Sequence, residues 1–212
     1  MMKRIRHLFW DFDGTLYDSY PRIQQSLESS LQDAGIGDLF SHEELLSLIK
    51  INVYHAATVC AQTGHVDVDE LMAGYYRYQR LSEHFVPYEG LAECLLALHE
   101  AGFCHYLYTH RDAGAVRQLK RDGLWPLFAD AVTSDDGFAR KPEPDALLDL
   151  MRRNALVPEM CAMVGDRDID IQAGHNAGMS GILFDPDGFY AGFPAELTVK
   201  GMDELKSRLL GL

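Results

Sequence analysis

Two aspartates one residue apart, Asp11 and Asp13, stand directly behind the apolar run that ends at Trp10 and ahead of Gly14-Thr15. A carboxylate in such a place can attack an electrophile, exchange a proton or ligate a hard cation. The D-x-D spacing alone says little: it occurs five times, at Asp11/Asp13, Asp67/Asp69, Asp166/Asp168, Asp168/Asp170 and Asp185/Asp187. Most such pairs are solvated turn or cap residues. The first differs in following a strand suited to burial and in preceding a glycine that lets the backbone pass close to a ligand.

Further candidates follow other apolar runs: Thr109 after CHYLY, Lys141 shortly after AVTS, and Asp166 after CAMVG. In open parallel α/β sheets, ligands bind beyond the carboxyl ends of the strands, so these residues converge if the runs are neighbouring strands. Asp170 flanks the same turn as Asp166 and is placed to ligate a metal or to hold its waters or Lys141. Asp168 reads as a cap or solvent-facing residue. His110 and Arg111, next to Thr109, are candidates for substrate contact, with a loop role the alternative for His110.

The elements that must position these groups alternate. Ile5–Trp10 reads as a buried strand, and apolar residues from about Ser19 to Val86 recur at helical spacing. Pro87-Tyr88-Glu89-Gly90 breaks the helical pattern. Beyond it come a helix Leu91–Ala101, a strand Phe103–Tyr108, a helix Ala113–Arg121, a strand Ala131–Thr133 and a helix Pro144–Arg153. A strand Cys161–Val164, a helix Asp170–Ala177, a strand Gly181–Phe184 and a helix Asp203–Leu210 complete the reading. This alternation predicts an α/β fold, a doubly wound parallel sheet with helices on both faces, carrying a smaller all-helical domain. The expected division is 1–17 with 87–212 for the core and 18–86 for the helical insert, hinged near Tyr17–Tyr20 and Phe85–Glu89.

Composition narrows the function. Nineteen basic against thirty-two acidic residues give a formal charge of −13, a field that repels nucleic acid and requires any phosphate site to supply local cations. Among 212 residues, 47% hydrophobic, no run approaches a membrane span. The basic start MMKRIRHLFW is cut short by Asp11 and Asp13 before a signal peptide's apolar stretch could form. Cys60, Cys94, Cys104 and Cys161 show no C-x-x-C spacing, which predicts reduced thiols in a cytoplasmic protein. His99-Glu100 with His105 misses the zinc-protease spacing.

With these residues in view the chain resembles the haloacid dehalogenase (HAD) superfamily of phosphatases, the subgroup with a helical cap after the first motif. DFDGTL matches the first motif, YTHR the second, ARKPEPD the third and VGDRDID the fourth. The resemblance implies a Rossmann-like core and a cap that opens for substrate and closes against water. It implies a phosphomonoester hydrolase, phosphoglycolate phosphatase-like, acting on a small soluble phosphate ester. Asp11 would be the nucleophile that carries a transient phosphoryl group, and Asp13 the proton donor and acceptor. Mg²⁺ would be held by Asp11, the Asp13 carbonyl, Asp166 and Asp170, with Lys141 adding charge. Gly14, Thr15, Thr109, His110 and Arg111 would contact the substrate phosphate. A monomer or weak homodimer is expected, without nucleic-acid or membrane partners.

Rival readings are a sugar-phosphate mutase like β-phosphoglucomutase and a non-catalytic binding module on the same fold. The mutases usually carry Glu-Asp where Gly165-Asp166 stands, and a binding module predicts loss of the aspartates and lysine that are present. Phosphonate hydrolases use a cap lysine, for which Lys50 is the candidate, but they lack the aspartate at the Asp13 position, as do the true dehalogenases. In the insert, Tyr75-Tyr76-Arg77-Tyr78-Gln79-Arg80, with Tyr20, Tyr54 and His55, either grip the substrate beyond its phosphate or form an ordinary helix face.

Overall fold

Short apolar runs punctuated by glycine turns assemble into a six-stranded, wholly parallel sheet in the computed structural model, which describes residues 4–81 and 85–212. Residues 1–3, at the start of the stretch MMKRIRHLFW, and 82–84, at the end of the predicted helical stretch, lie outside the described residues. The strands are β1 (His7–Trp10), β4 (Cys104–Tyr108), β5 (Phe128–Val132), β6 (Cys161–Gly165), β7 (Ser180–Phe184) and β8 (Leu197–Val199), in the order β5-β4-β1-β6-β7-β8. β1 is central, pairing with β4 on one side and β6 on the other. The chain therefore winds outward both ways from β1, and the carboxyl ends of β1, β4 and β6 meet at the switch point where such sheets bind ligands.

Helices α5 (Leu91–Glu100), α6 (Gly114–Arg121), α7 (Asp145–Arg153) and α8 (Asp168–Asn176) lie between successive strands, and α9 (Met202–Leu210) follows β8. One core layer packs Phe9, Tyr106, Met163 and Val132 from the sheet against Leu147, Leu150, Met151 and Ala173 from α7 and α8. Within β1, Phe9 and Trp10 point to opposite faces, as the strand period requires, and both are fully buried. Trp10 on the other face donates its indole N–H to His105 Nδ1 at 3.0 Å, and His105 Nε2 donates to Leu95 O at 3.1 Å. Burial holds this neutral imidazole down to a pKa of about 4.

Two compact units divide the chain: Met1–Asp18 with Val86–Leu212, and Ser19–Phe85. The second contains α1 (Tyr20–Asp33), α2 (His42–Ile51), α3 (Val53–Gly64) and α4 (Val68–Gln79). Local chemistry marks these starts: Pro21 in the first turn of α1, a capping box between Ser41 and Glu44 for α2, and Asp67 accepting from the amides of Asp69 and Glu70 for α4. Its core is built by Leu27, Leu31, Leu45, Ile49, Cys60, Leu71 and Tyr75. The chain leaves and re-enters the first unit through a short antiparallel pair, β2 (Tyr17–Asp18) with β3 (Val86–Pro87).

Two strand features were not legible in the sequence, the β2–β3 pair and β8, and several boundaries shift: β5, read as Ala131–Thr133, runs Phe128–Val132, and β1, read from Ile5, starts at His7. The helix read from Asp170 starts at Asp168 because the Asp170 carboxylate accepts the Arg167 amide at 3.1 Å, closing the turn two residues earlier. All four cysteines are free thiols. No helix among the described residues is long and apolar enough to cross a membrane.

Candidate active site

The loop after β1 is wound tightly, and that tightness aims its carboxylates. Asp11 N donates to Val164 O at 2.9 Å, Leu16 N and Tyr17 N both reach back to Phe12 O, and Gly14 turns with φ 75. Left-handed backbone of this kind suits glycine. Asp11 is thereby buried at 2% exposure, while Asp13, two residues on, stays only part-buried.

Lys141 closes on Asp11 from the loop after β5. Its Nζ lies 2.6 Å from Asp11 Oδ1 and 2.7 Å from Asp170 Oδ1, with all three side chains essentially dry. The ammonium also sits 4.6 Å from the centre of the Tyr108 ring. Its backbone is pinned as well, for Lys141 N donates to His110 Nε2 at 2.8 Å. His110 thus accepts from the lysine loop, and burial together with the positive charges of Lys141, Arg140 and Arg167 drives its pKa down to about 2.

Asp166, buried at the end of β6, accepts a long 3.4 Å hydrogen bond from Thr15 Oγ1. Asp11, Asp166 and Asp170 each present a carboxylate oxygen within 4.8 Å of the others. Asp11 Oδ2 is buried with no hydrogen-bond partner. Three carboxylates gather around one ammonium, with the charge of Arg167 also felt at Asp11, and an orphaned buried oxygen faces a steep desolvation penalty. The donor set is all oxygen, which suits a hard divalent cation. Burial lifts the Asp11 carboxyl to a pKa of about 6, with Asp170 pushing the same way and Lys141 and Arg167 opposing. Lys141 moves upward, since its two carboxylate neighbours outweigh its own burial.

Thr109 follows β4, its amide bonded to Val132 O and its Oγ1 accepting from Arg111 N at 3.1 Å. The Arg111 guanidinium meets Asp13 side-on, Nε to Oδ2 at 3.1 Å and Nη2 to Oδ1 at 2.5 Å. The structure therefore brings Asp11, Lys141, Asp166 and Asp170 into one cluster and attaches Asp13 to Arg111 beside it. In the helical unit, Tyr75 is core, and Arg77 and Tyr78 both reach Asp33, at 2.7 and 2.9 Å. Lys50 is buried 5.4 Å from the Tyr20 ring.

Three residues near the cluster escaped the sequence reading as site members. Gly165 lies so close to α8 that a Cβ there would run into the Asp170 side chain. The phenols of Tyr88 and Tyr190 are pushed up, chiefly by burial and then by acidic neighbours that include Asp166 in both cases. Tyr190 belongs to the loop after β7, where Asp185 accepts the amides of Phe189 and Tyr190 at 2.8 and 3.0 Å. Its position beyond another strand's carboxyl end was the signal available.

The family model for haloacid dehalogenase-like hydrolases matches residues 8–184. The chain belongs to this family. It is 30% identical over 193 residues to the phosphoglycolate phosphatase of Vibrio cholerae, covering 84% of this chain and 83% of that one. It is equally 30% identical, over 180 residues, to pyrophosphatase PpaX of Bacillus velezensis, covering 83% and 81%. Its fold matches the crystal structure of a "predicted phosphoglycolate phosphatase" from Haemophilus somnus with a TM-score of 0.81, at 21% identity over 98% of this chain and all of that one. The HAD-like hydrolase fold and the enzymatic class expected from the motifs are thus established, with phosphatases among the relatives.

Proposed function

We propose that this enzyme hydrolyses the phosphomonoester bond of a small soluble phosphate compound through a phosphoryl group carried on Asp11. The observation that supports this most is the dry bridge of Lys141 between Asp11 and Asp170, with the second Asp11 oxygen left unpartnered beside Asp166. A purely structural ion pair would satisfy both oxygens.

In this reading the Asp11 carboxylate attacks phosphorus and the bond to the leaving oxygen breaks, with Asp13 giving that oxygen a proton. Water then attacks the phosphoryl group, Asp13 takes up its proton, and the bond to Asp11 is cleaved to release phosphate. Splitting the displacement in two lets one carboxylate serve as nucleophile while the other handles protons. Thr109 and Thr15, with the loop amides around Gly14, are the donors offered to phosphoryl oxygens. Lys141 fixes the Asp11 rotamer and offsets negative charge as the anion arrives. Mg²⁺ held by Asp11, Asp166, Asp170 and the Asp13 carbonyl would supply the positive charge that lets an anion approach a phosphate.

Gly165 weighs against the mutase alternative, because a glutamate there would need the space Asp170 fills. The names of the curated relatives put phosphoglycolate, a phosphomonoester, first among compounds to try, and then pyrophosphate, in which the same attack on phosphorus would break an anhydride instead of an ester.

Phosphate release from a panel of small phosphate compounds, with Mg²⁺ and with a chelator, tests the reading on wild type and Asp11→Asn. Turnover is expected only with the metal and should fall by a factor on the order of 10⁴ or more in the variant. Retained turnover by Asp11→Asn would remove Asp11 as the nucleophile.

A further inference from the structure

The Asp13 carboxylate has both oxygens engaged by one guanidinium, Nε on Oδ2 and Nη2 on Oδ1. A carboxylate gripped side-on by a guanidinium fork gives one lone pair of each oxygen to the arginine and keeps only the outer ones for another partner. If Asp13 does the proton work proposed above, on which this inference rests, the geometry shown is a resting state from which release by Arg111 turns the carboxylate to the leaving group.

The surroundings fit such a release. The pair is part-buried, with side-chain exposures of 19% for Arg111 and 27% for Asp13, unlike the dry Lys141 bridge alongside. Ion pairs open to water are weak enough to exchange partners. The Arg111 backbone is fixed, its amide donating to Thr109 Oγ1 at 3.1 Å and its carbonyl accepting Ser134 N at 2.9 Å. Any exchange is then a swing of the side chain alone. Its guanidinium carbon lies 5.6 Å from the centre of the Phe12 ring, which stacks on Tyr17 at 4.5 Å. Tyr17 in turn donates its hydroxyl to Asp122 at 2.6 Å, so the aromatic platform beneath the arginine is braced.

We propose that Arg111 is a latch on Asp13 that opens by transferring its fork to a second anionic group of the substrate, a carboxylate or a further phosphate, distinct from the phosphoryl group transferred. A guanidinium fork matches either anion with two parallel hydrogen bonds, as it now matches Asp13. Binding of the correct substrate thereby frees the proton-handling carboxylate. Substrates without the second anion leave the latch closed, so selectivity is expressed in turnover as well as in binding.

Matched probes test this: ethyl phosphate against carboxymethyl phosphate, and methyl phosphate against inorganic pyrophosphate, each with wild type, Arg111→Met and Arg111→Lys. The expected result is a wild-type preference for the probe with the second anion. Arg111→Met should shrink that preference at least tenfold, with kcat as well as KM affected, and Arg111→Lys should restore part of it through charge without the fork. The probe pair that shows the effect identifies the carboxylate or the phosphate as the anion recognised. A preference unchanged by Arg111→Met, or an equal loss on both members of each pair, overturns the latch while leaving the hydrolase reading intact. Absence of wild-type turnover on every probe overturns both. Arg111→Lys keeps the test decisive if the methionine variant folds poorly.

Discussion

In the helical unit, Arg77 meets Asp33 at 2.7 Å with side-chain exposures of 62% and 50%; in the α/β unit, Lys141 meets Asp11 at 2.6 Å with exposures of 0% and 3%. The distances are nearly the same and the environments are opposite. Water and salt screen the first pair, and holding two long side chains together offsets most of what remains. The second pair has lost its hydration, so its charges are stable only while each has the other. A fold does not bury a lysine and three carboxylates in one place for stability, since apolar residues of similar volume would serve at least as well. The contrast separates a solvated helix face from the dry candidate site.

Removing Lys141 is the hardest test of that contrast. Lys141→Met should abolish turnover and destabilise the α/β unit by roughly 3–5 kcal/mol, because Asp11 and Asp170 would remain buried without their counter-charge. Urea unfolding followed by tryptophan fluorescence reads this in the right unit, since Trp10 and Trp125 both lie there. A loss under about 1 kcal/mol would put the bridge in the same class as a surface pair.

The next largest effect comes from a buried group that carries no charge at neutral pH. His105 is held at a pKa of about 4 in the fold against 6.5 for an ordinary histidine, so the unfolded chain takes up the proton first as pH falls. Its contribution is complete above about pH 6.5 and is lost progressively down to about pH 4, on the order of 3 kcal/mol in all. The difference in stability between wild type and His105→Gln should narrow over that window. A difference that stays constant from pH 7 to pH 4.5 would mean that the histidine tolerates its proton in place.

Arg77→Ala marks the small end, with an expected change of about 0.5 kcal/mol or less that shrinks further in high salt. A larger, salt-independent loss would show that this surface pair does more than its exposure allows.

The cluster of carboxylates and lysine was legible because its members come after recognisable apolar runs, and a parallel sheet gathers the ends of its strands by geometry alone. β8 was hidden for the converse reason. Its three residues, Leu197-Thr198-Val199, place an exposed threonine between two buried neighbours, too short a pattern to rise above the loop before it. The β2–β3 pair is shorter still and includes Pro87, which argues against a strand from sequence. Pairing of side chains was the other limit. That His110 would serve the Lys141 backbone and Arg111 would hold Asp13 depends on rotamers of loops close in space and far apart along the chain. Gly165 was visible as a departure from a mutase pattern, but its cause, the approach of Asp170, needs α8 in place.

The β2–β3 pair has a consequence for how the molecule can be assembled and altered. Neighbouring strands lie about 4.8 Å apart, so everything from Ser19 to Phe85 begins and finishes almost at one point, and to the sheet it is a hairpin connection of unusual length. The entropy of closing such a connection grows only logarithmically, about 0.6 kcal/mol for each doubling of length. Insertions of very different size and shape can be spliced between these two strands without moving the residues after β1, leaving the parallel sheet and its cluster of carboxylates as a chassis on which the excursion is interchangeable.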